Sequence, residues 1–153
     1  MSTESTNALG SQVICQVGLI VRDIERSSAA YADLFGVEVP EWSLTDAYED
    51  AHTEYHGQPT AARAKLAFFH LGQVSLELIE PVGAPSTWRE HLETHGEGVH
   101  HIAFQIKGMD EQLTVLADKG MPAVQRGDYT GGRYAYVDAV PQLGVVLELL
   151  ENF

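Results

Sequence analysis

Two short segments each set one carboxylate among aliphatic residues: VSLELIE around Glu77 and VVLELLE around Glu148. A charged group on an apolar strand is costly unless it is paired or bound to a cation. Alternate residues of a strand share a face, so Glu77 lies with Ser75 and Ile79, and Glu148 with Val146 and Leu150. The bland alternative is an edge strand with its polar side outward. The outer glutamates, Glu80 and Glu151, fall at strand ends and can reach water. A third segment, GEGVHHIAFQI at 96–106, opens an apolar run with two adjacent imidazoles, His100 and His101. Strand neighbours point to opposite faces, so the two cannot share one job.

The elements that must position these groups recur along the chain. Residues 13–21 (VICQVGLIV) are short and β-branched and predict a strand. IERSSAAYADLF at 24–35 has helical apolar spacing and stops at Gly36. The same grammar returns with a strand at 102–106 and a helix at 109–119, stopped by Gly120. Setting Gln16 beside His101 matches Val17 with Ile102, Val21 with Ile106, Arg22 with Lys107, Ile24 with Met109 and Ala32 with Ala117. The half-ends LELIE (76–80) and LELLE (147–151) match in turn. Gln16 precedes Glu77 by 61 residues and His101 precedes Glu148 by 47, so 14 extra residues fall in the irregular stretch 38–60. The chain therefore reads as an α+β fold of two tandem βαβββ modules, 13–81 and 99–153. A disordered lead-in is expected at 1–12. The linker at 82–98 should be helical, with Ser86 as N-cap and 88–92 inside the helix.

Repeat-equivalent positions then hold Gln16 and His101, Glu77 and Glu148. Three oxygen donors and one imidazole suit one divalent ion per chain, Mn²⁺, Co²⁺, Ni²⁺ or Zn²⁺. No thiolate favours a closed structural zinc site. Four protein ligands leave the open positions that a catalytic metal needs. His101, equivalent to Gln16, is the ligand candidate. His100 then faces away as a packing or surface residue, or stands at the rim.

Composition narrows the partners. The formal net charge is −13, from 22 acids and 9 bases. Phosphate backbones would be repelled, which excludes nucleic acid and leaves small molecules. The single cysteine, Cys15, allows no internal disulfide and fits a reducing cytoplasm; in its apolar run it reads as a buried structural thiol. No apolar run is long enough to span a membrane. The loop GDYTGGRYAY at 127–136 offers Arg133 for a substrate carboxylate or phosphate and Tyr129 and Tyr134 for a cavity wall. Its plain alternative is a glycine hairpin with a surface arginine and packing tyrosines. His52 and His56 stand four apart in the inserted stretch, but HGQP marks a turn there. That stretch reads as a cover for the cavity mouth.

QVGLIVRDIERSSAAYADLFGV, VSLELIEPVG, GEGVHHIAF and LGVVLELLE together resemble the vicinal oxygen chelate superfamily. It includes glyoxalase I, methylmalonyl-CoA epimerase, extradiol dioxygenases and bleomycin- and fosfomycin-resistance proteins. The resemblance covers about residues 13–152. It implies paired βαβββ modules whose mixed sheets curl around a metal cavity, with Gln16, Glu77, His101 and Glu148 as ligands. It implies a metal-dependent epimerase or isomerase of the methylmalonyl-CoA epimerase kind, which removes a proton beside a carbonyl through a metal-stabilised enolate. Glu148 is the expected base, with Glu77 its counterpart. The ligand order Gln, Glu, His, Glu resembles glyoxalase I, which makes a lactoylglutathione lyase the alternative. A drug-binding protein without chemistry is the second alternative. Dioxygenase chemistry needs a histidine where Gln16 stands. The epimerases also use a glutamate about 17 residues before the Glu77 position, and Thr60 stands there in this chain. The partner implied is a small carbonyl compound. Family members often form homodimers, and LLENF at the C-terminus could serve such an interface or simply close the core.

Overall fold

The structure is a computed structural model that describes residues 9–153, so most of the expected lead-in lies outside the described residues. The first half runs β1 (Gln16–Ile20), α1 (Ile24–Phe35), β2 (Ser43–Leu44), α2 (Tyr48–Ala51), β3 (Glu54–Tyr55), β4 (Gln58–Pro59), β5 (Arg63–His70) and β6 (Ser75–Val82). Helix α3 (Thr87–His95) follows. The second half runs β7 (Gly98–Gln105), α4 (Met109–Asp118), β8 (Ala123–Tyr129), β9 (Gly132–Val137), α5 (Val140–Leu143) and β10 (Val146–Asn152).

Local chemistry accounts for the helix boundaries. Asp23 and Ser86 cap α1 and α3, their side chains accepting from Arg26 N and Arg89 N. Gly36 takes the left-handed conformation that ends α1, with φ 68°. The outer glutamates have a use beyond the contact with water expected of them. Glu80 Oε1 accepts from Ile24 N at 2.9 Å, and Glu151 Oε2 accepts from Gly108 N at 2.7 Å. Each carboxylate closes the start of its own module's helix, where unpaired N–H groups and the positive helix end attract a negative charge.

All ten strands form one mixed sheet in the order β2-β5-β6-β1-β7-β10-β9-β8-β3-β4, curled into a half-barrel. The two modules therefore share a sheet across the β1–β7 pair. Register supports the repeat alignment. Gln16 lies opposite Ser75 on β6, and His101 lies opposite Val146 on β10, so Glu77 and Glu148 are each two residues farther along. The antiparallel β1–β7 pair matches Gln16 with Ala103, Val17 with Ile102 and Gly18 with His101, which places a pseudo-twofold at Val17–Ile102.

Helices cover the outer face of the sheet. Ile24 and Ala32 of α1 pack with Leu78, Ala67 and Phe69, while Met109, Leu113 and Leu116 of α4 pack with Phe104, Leu147 and Leu149. The inner face carries Ile20, Ile79, Ala64 and Tyr136, and α3 plugs one end of it with Trp88 and Leu92. The inserted stretch crosses from one edge of the sheet to the other. Its β2 pairs with β5, and its β3 pairs with β8 of the second half. At the C-terminus Leu149 is buried in the core and Phe153 is 84% exposed, so LLENF is not one apolar face.

Candidate metal centre

Glu77 on β6 and Glu148 on β10 approach from the two strands that flank the central β1–β7 pair. His101 on β7 stands between them. Its Nε2 lies 3.1 Å from Glu148 Oε1 and 3.4 Å from Glu77 Oε1. All three are buried: His101 is 0%, Glu77 5% and Glu148 4% exposed. One terminal atom of the Gln16 amide lies 2.9 Å from Glu148 Oε1, 3.2 Å from Glu77 Oε1 and 3.1 Å from His101 Nε2. With its nitrogen turned inward this amide donates to both carboxylates. With its oxygen turned inward it faces a cation.

The donor set fits a divalent ion. Bonds of about 2.1 Å put neighbouring donors roughly 3.0 Å apart at right angles and roughly 3.4 Å apart at tetrahedral angles. Donor atoms of Glu77, His101 and Glu148 all lie within 4.8 Å of one another. Without a cation, two buried carboxylates share one imidazole, and burial of charge disfavours that arrangement. Burial raises the Glu77 carboxyl above its ordinary value, with the Glu148 charge adding to the rise. Burial opposes charge on His101, but the two carboxylates outweigh it and raise the imidazole to about 10. A cation would replace that proton.

Gly18 makes room for the imidazole. A Cβ at that position would fall 2.1 Å from His101 Cε1, a distance no side chain tolerates. Its repeat equivalent is Ala103, because Gln16 on the first half has no ring to accommodate.

His100 departs from the expected alternation. The β1–β7 register shifts between Gly18 and Leu19, which pair with His101 and Val99, so His100 is the extra residue of a β-bulge. A bulge re-aims its side chains, and His100 lies beside His101 rather than opposite it. The two Nδ1 atoms are 2.8 Å apart. His100 is 3% exposed and packs edge-on against Tyr136 at 4.9 Å and His91 at 5.5 Å. Burial, then the neighbouring His101 and His91, push its pKa well below the ordinary value, so it is neutral. Sequence reasoning missed this contact because no composition signal marks a one-residue bulge.

A cavity of about 480 Å³ opens above the centre, lined by Gln16, Glu77 and Glu148 together with Trp88, Tyr134 and Tyr136. Tyr129 also lines it, and Asp46 and Thr45 of the inserted stretch stand at its mouth. Arg133 does not reach it. That guanidinium pairs with Glu151 at 2.7 Å and with Asp110 at 3.6 Å, because β9 alternation places it on the face opposite Tyr134. Gly131 turns the β8–β9 hairpin with φ 88°, which is the plain alternative for this loop. His52 and His56 do not converge. His52 Nδ1 bonds Asp128 Oδ2 at 3.0 Å, while His56 lines a different depression beside α3. Thr60, at the expected glutamate position, is buried and donates to the Pro85 carbonyl at 2.9 Å. Cys15 is half-buried, its Sγ 3.4 Å from the Ala103 carbonyl.

Comparison with known proteins agrees with this architecture. Residues 15–137 match the model of the Glyoxalase/Bleomycin resistance protein/Dioxygenase superfamily. The chain is 38% identical over 92 residues to the Uncharacterized protein YqjC of Bacillus subtilis (strain 168), covering 58% of this chain and 66% of that protein. It is 28% identical over 149 residues to a 2-epi-5-epi-valiolone epimerase of Actinomyces sp, covering 92% and 80%. Among solved structures, a methylmalonyl-CoA epimerase from Mycobacterium tuberculosis superposes with TM-score 0.63 at 20% identity, over 100% of this chain and 93% of that one. A methylmalonyl-CoA epimerase in complex with methylmalonyl-CoA and NH4+ gives 0.64 at 25% identity, over 92% and 94%. The repeated register, the shared sheet and the matched span agree: the chain belongs to the Glyoxalase/Bleomycin resistance protein/Dioxygenase superfamily.

Proposed function

We propose that the protein is a metal-dependent epimerase or isomerase that removes and returns a proton beside a carbonyl. One observation carries the reading: two buried carboxylates that line a cavity, from strands on opposite sides of the central pair, converge on one imidazole buried beneath it. Gln16, Glu77, His101 and Glu148 would hold one divalent ion, of the Mn²⁺, Co²⁺, Ni²⁺ or Zn²⁺ kind. Such an ion, when bound, stabilises negative charge developing on a carbonyl oxygen. Glu148 takes the proton from one face of the substrate carbon, and Glu77 returns one from the other. Burial tunes a carboxyl upward toward the pH at which it exchanges protons, and Glu77 shows that direction. Trp88 and the tyrosines shield the carbanion from water. The epimerase relatives support this class of reaction but act on two different kinds of substrate by name.

A lactoylglutathione lyase of the glyoxalase I type is the second reading, favoured by the order Gln, Glu, His, Glu. The binding-only reading has less support, because it leaves the cost of the buried carboxylates without a use. A cytoplasmic location and a homodimer belong to this proposal too. Among the described residues no helix is long and apolar enough to cross a membrane. The test is metal content followed by solvent-deuterium incorporation at the α-carbon of carbonyl substrates. Wild type should hold about one divalent ion per chain and His101→Ala should hold none. Wild type that takes up no Co²⁺, Ni²⁺, Zn²⁺ or Mn²⁺ would refute the proposal.

A further inference from the structure

The reacting cavity lacks the charge that anionic substrates need. Among the described residues lining it there is no lysine and no arginine. The cations nearest in sequence to its walls are engaged elsewhere. Arg133 is held by Glu151 and Asp110, Arg126 by Asp110, and Lys65 by Glu80. Arg63 reaches the Thr45 carbonyl with its Nε at 2.8 Å. Alternation on β5 explains two of these: Ala64 and Leu66 face inward, so Arg63 and Lys65 face outward.

The charge at the centre leaves no positive surplus. A divalent ion against Glu77 and Glu148 sums to zero. Asp46 and Asp128, both exposed among the lining residues, add two further carboxylates toward the mouth. His52, between Ala51 and Thr53 of the lining, is paired with Asp128 at 3.0 Å. Like charges brought together in such a space are repelled strongly, and nothing here offsets them. A thioester with distant phosphates could leave those in water. A malonyl-type thioester carries its carboxylate on the reacting carbon itself and cannot.

The remaining wall chemistry has a positive meaning. Carboxylates such as Asp46 and Asp128 accept from hydroxyl groups, and paired hydroxyls fit their two oxygens. Trp88, Tyr134 and Tyr136 give the cavity an aromatic wall, which suits the C–H side of a saturated ring. Resting on the proton-transfer reading above, we propose that this site takes a neutral polyhydroxylated carbonyl compound, of the ketose or keto-cyclitol kind, and excludes anionic thioesters.

The experiment is saturation-transfer NMR on the full, metal-loaded chain. The probes are 2-keto-myo-inositol, D-fructose and methylmalonyl-CoA at equal concentration. Binding of either neutral probe, without methylmalonyl-CoA, is the expected result. The exposed mouth substitution Asp46→Arg should then improve methylmalonyl-CoA binding at least about tenfold. Methylmalonyl-CoA binding as tight as the neutral probes, or binding by none of the three, overturns the assignment. Deuterium exchange separates the two readings. Metal-dependent exchange into methylmalonyl-CoA would overturn the substrate class and leave proton transfer standing. A neutral probe that binds without exchange would do the reverse.

Discussion

The two halves of the sheet place their site residues by one register and equip them differently. Gln16 and His101 hold equivalent positions, as do Glu77 and Glu148. One half supplies an amide that can present either a donor or an acceptor. The other supplies an imidazole whose position requires two local devices: Gly18 across the strand pair and the bulge at His100. The first half alone carries the insertion that crosses the mouth. A duplicated scaffold thus fixes where donors converge, while single residues at the shared seam decide what they do.

That asymmetry can be broken at several strengths. Removing the imidazole has the largest expected effect: His101→Ala should abolish stoichiometric metal in the purified protein. Glu148→Gln should slow α-proton exchange by about 10² to 10⁴, the usual worth of a positioned base. Glu77→Gln should impair return of the proton, so deuterium wash-in and epimerisation would fall to different extents. Equal loss in both variants would remove the distinction between the two carboxylates.

Gly18→Ala copies Ala103 into the first half. The new methyl has no room beside His101, and overpacking of this kind costs about 1–3 kcal/mol, measurable by denaturant unfolding. Unchanged stability together with unchanged metal affinity would show that the imidazole does not depend on the glycine.

Proton linkage gives the next effect. His101 is raised from 6.5 to about 10, so the metal-free folded state holds this proton more tightly than the unfolded state. The resulting stabilisation is complete below about pH 6.5 and is lost as pH rises toward 10. A metal bound at Nε2 would displace the same proton. Affinity should therefore tighten up to about tenfold per pH unit over that window, with about one proton released per ion. Calorimetry in buffers of different ionisation enthalpy reads that number directly, and zero release would place the metal away from His101.

The smallest expected effects test the outer glutamates. Glu80→Gln and Glu151→Gln should each cost about 1 kcal/mol through the start of α1 or α4, with metal content unchanged. Glu151→Gln should cost the more of the two, because Arg133 also loses the nearer of its two carboxylate partners.

The helix α1 was legible to the residue, because apolar spacing and the stop at Gly36 agree on its extent. The four candidate donors were legible through the duplication, since matched halves expose a carboxylate at the same place in each last strand. The role of Glu80 and Glu151 was not, because a strand-end glutamate gives no sign of the helix start that will reach it. Arg133 stayed open between a substrate contact and a surface arginine for a related reason. Its alternation phase relative to Tyr134 is plain in GGRYAY, but which phase faces the cavity depends on how the sheet curls.

By itself the sequence determined the α+β class, the doubled module and the identity of four candidate donors. Each follows from local periodicity or from self-similarity, both of which are one-dimensional properties. Tertiary structure decided that β1 and β7 share one continuous sheet, and that a bulge turns His100 toward His101. It also decided that Lys65, Arg126 and Arg133 pair with carboxylates outside the cavity lining. Those outcomes depend on pairing between segments distant in the chain, and on the sign of curvature that pairing sets.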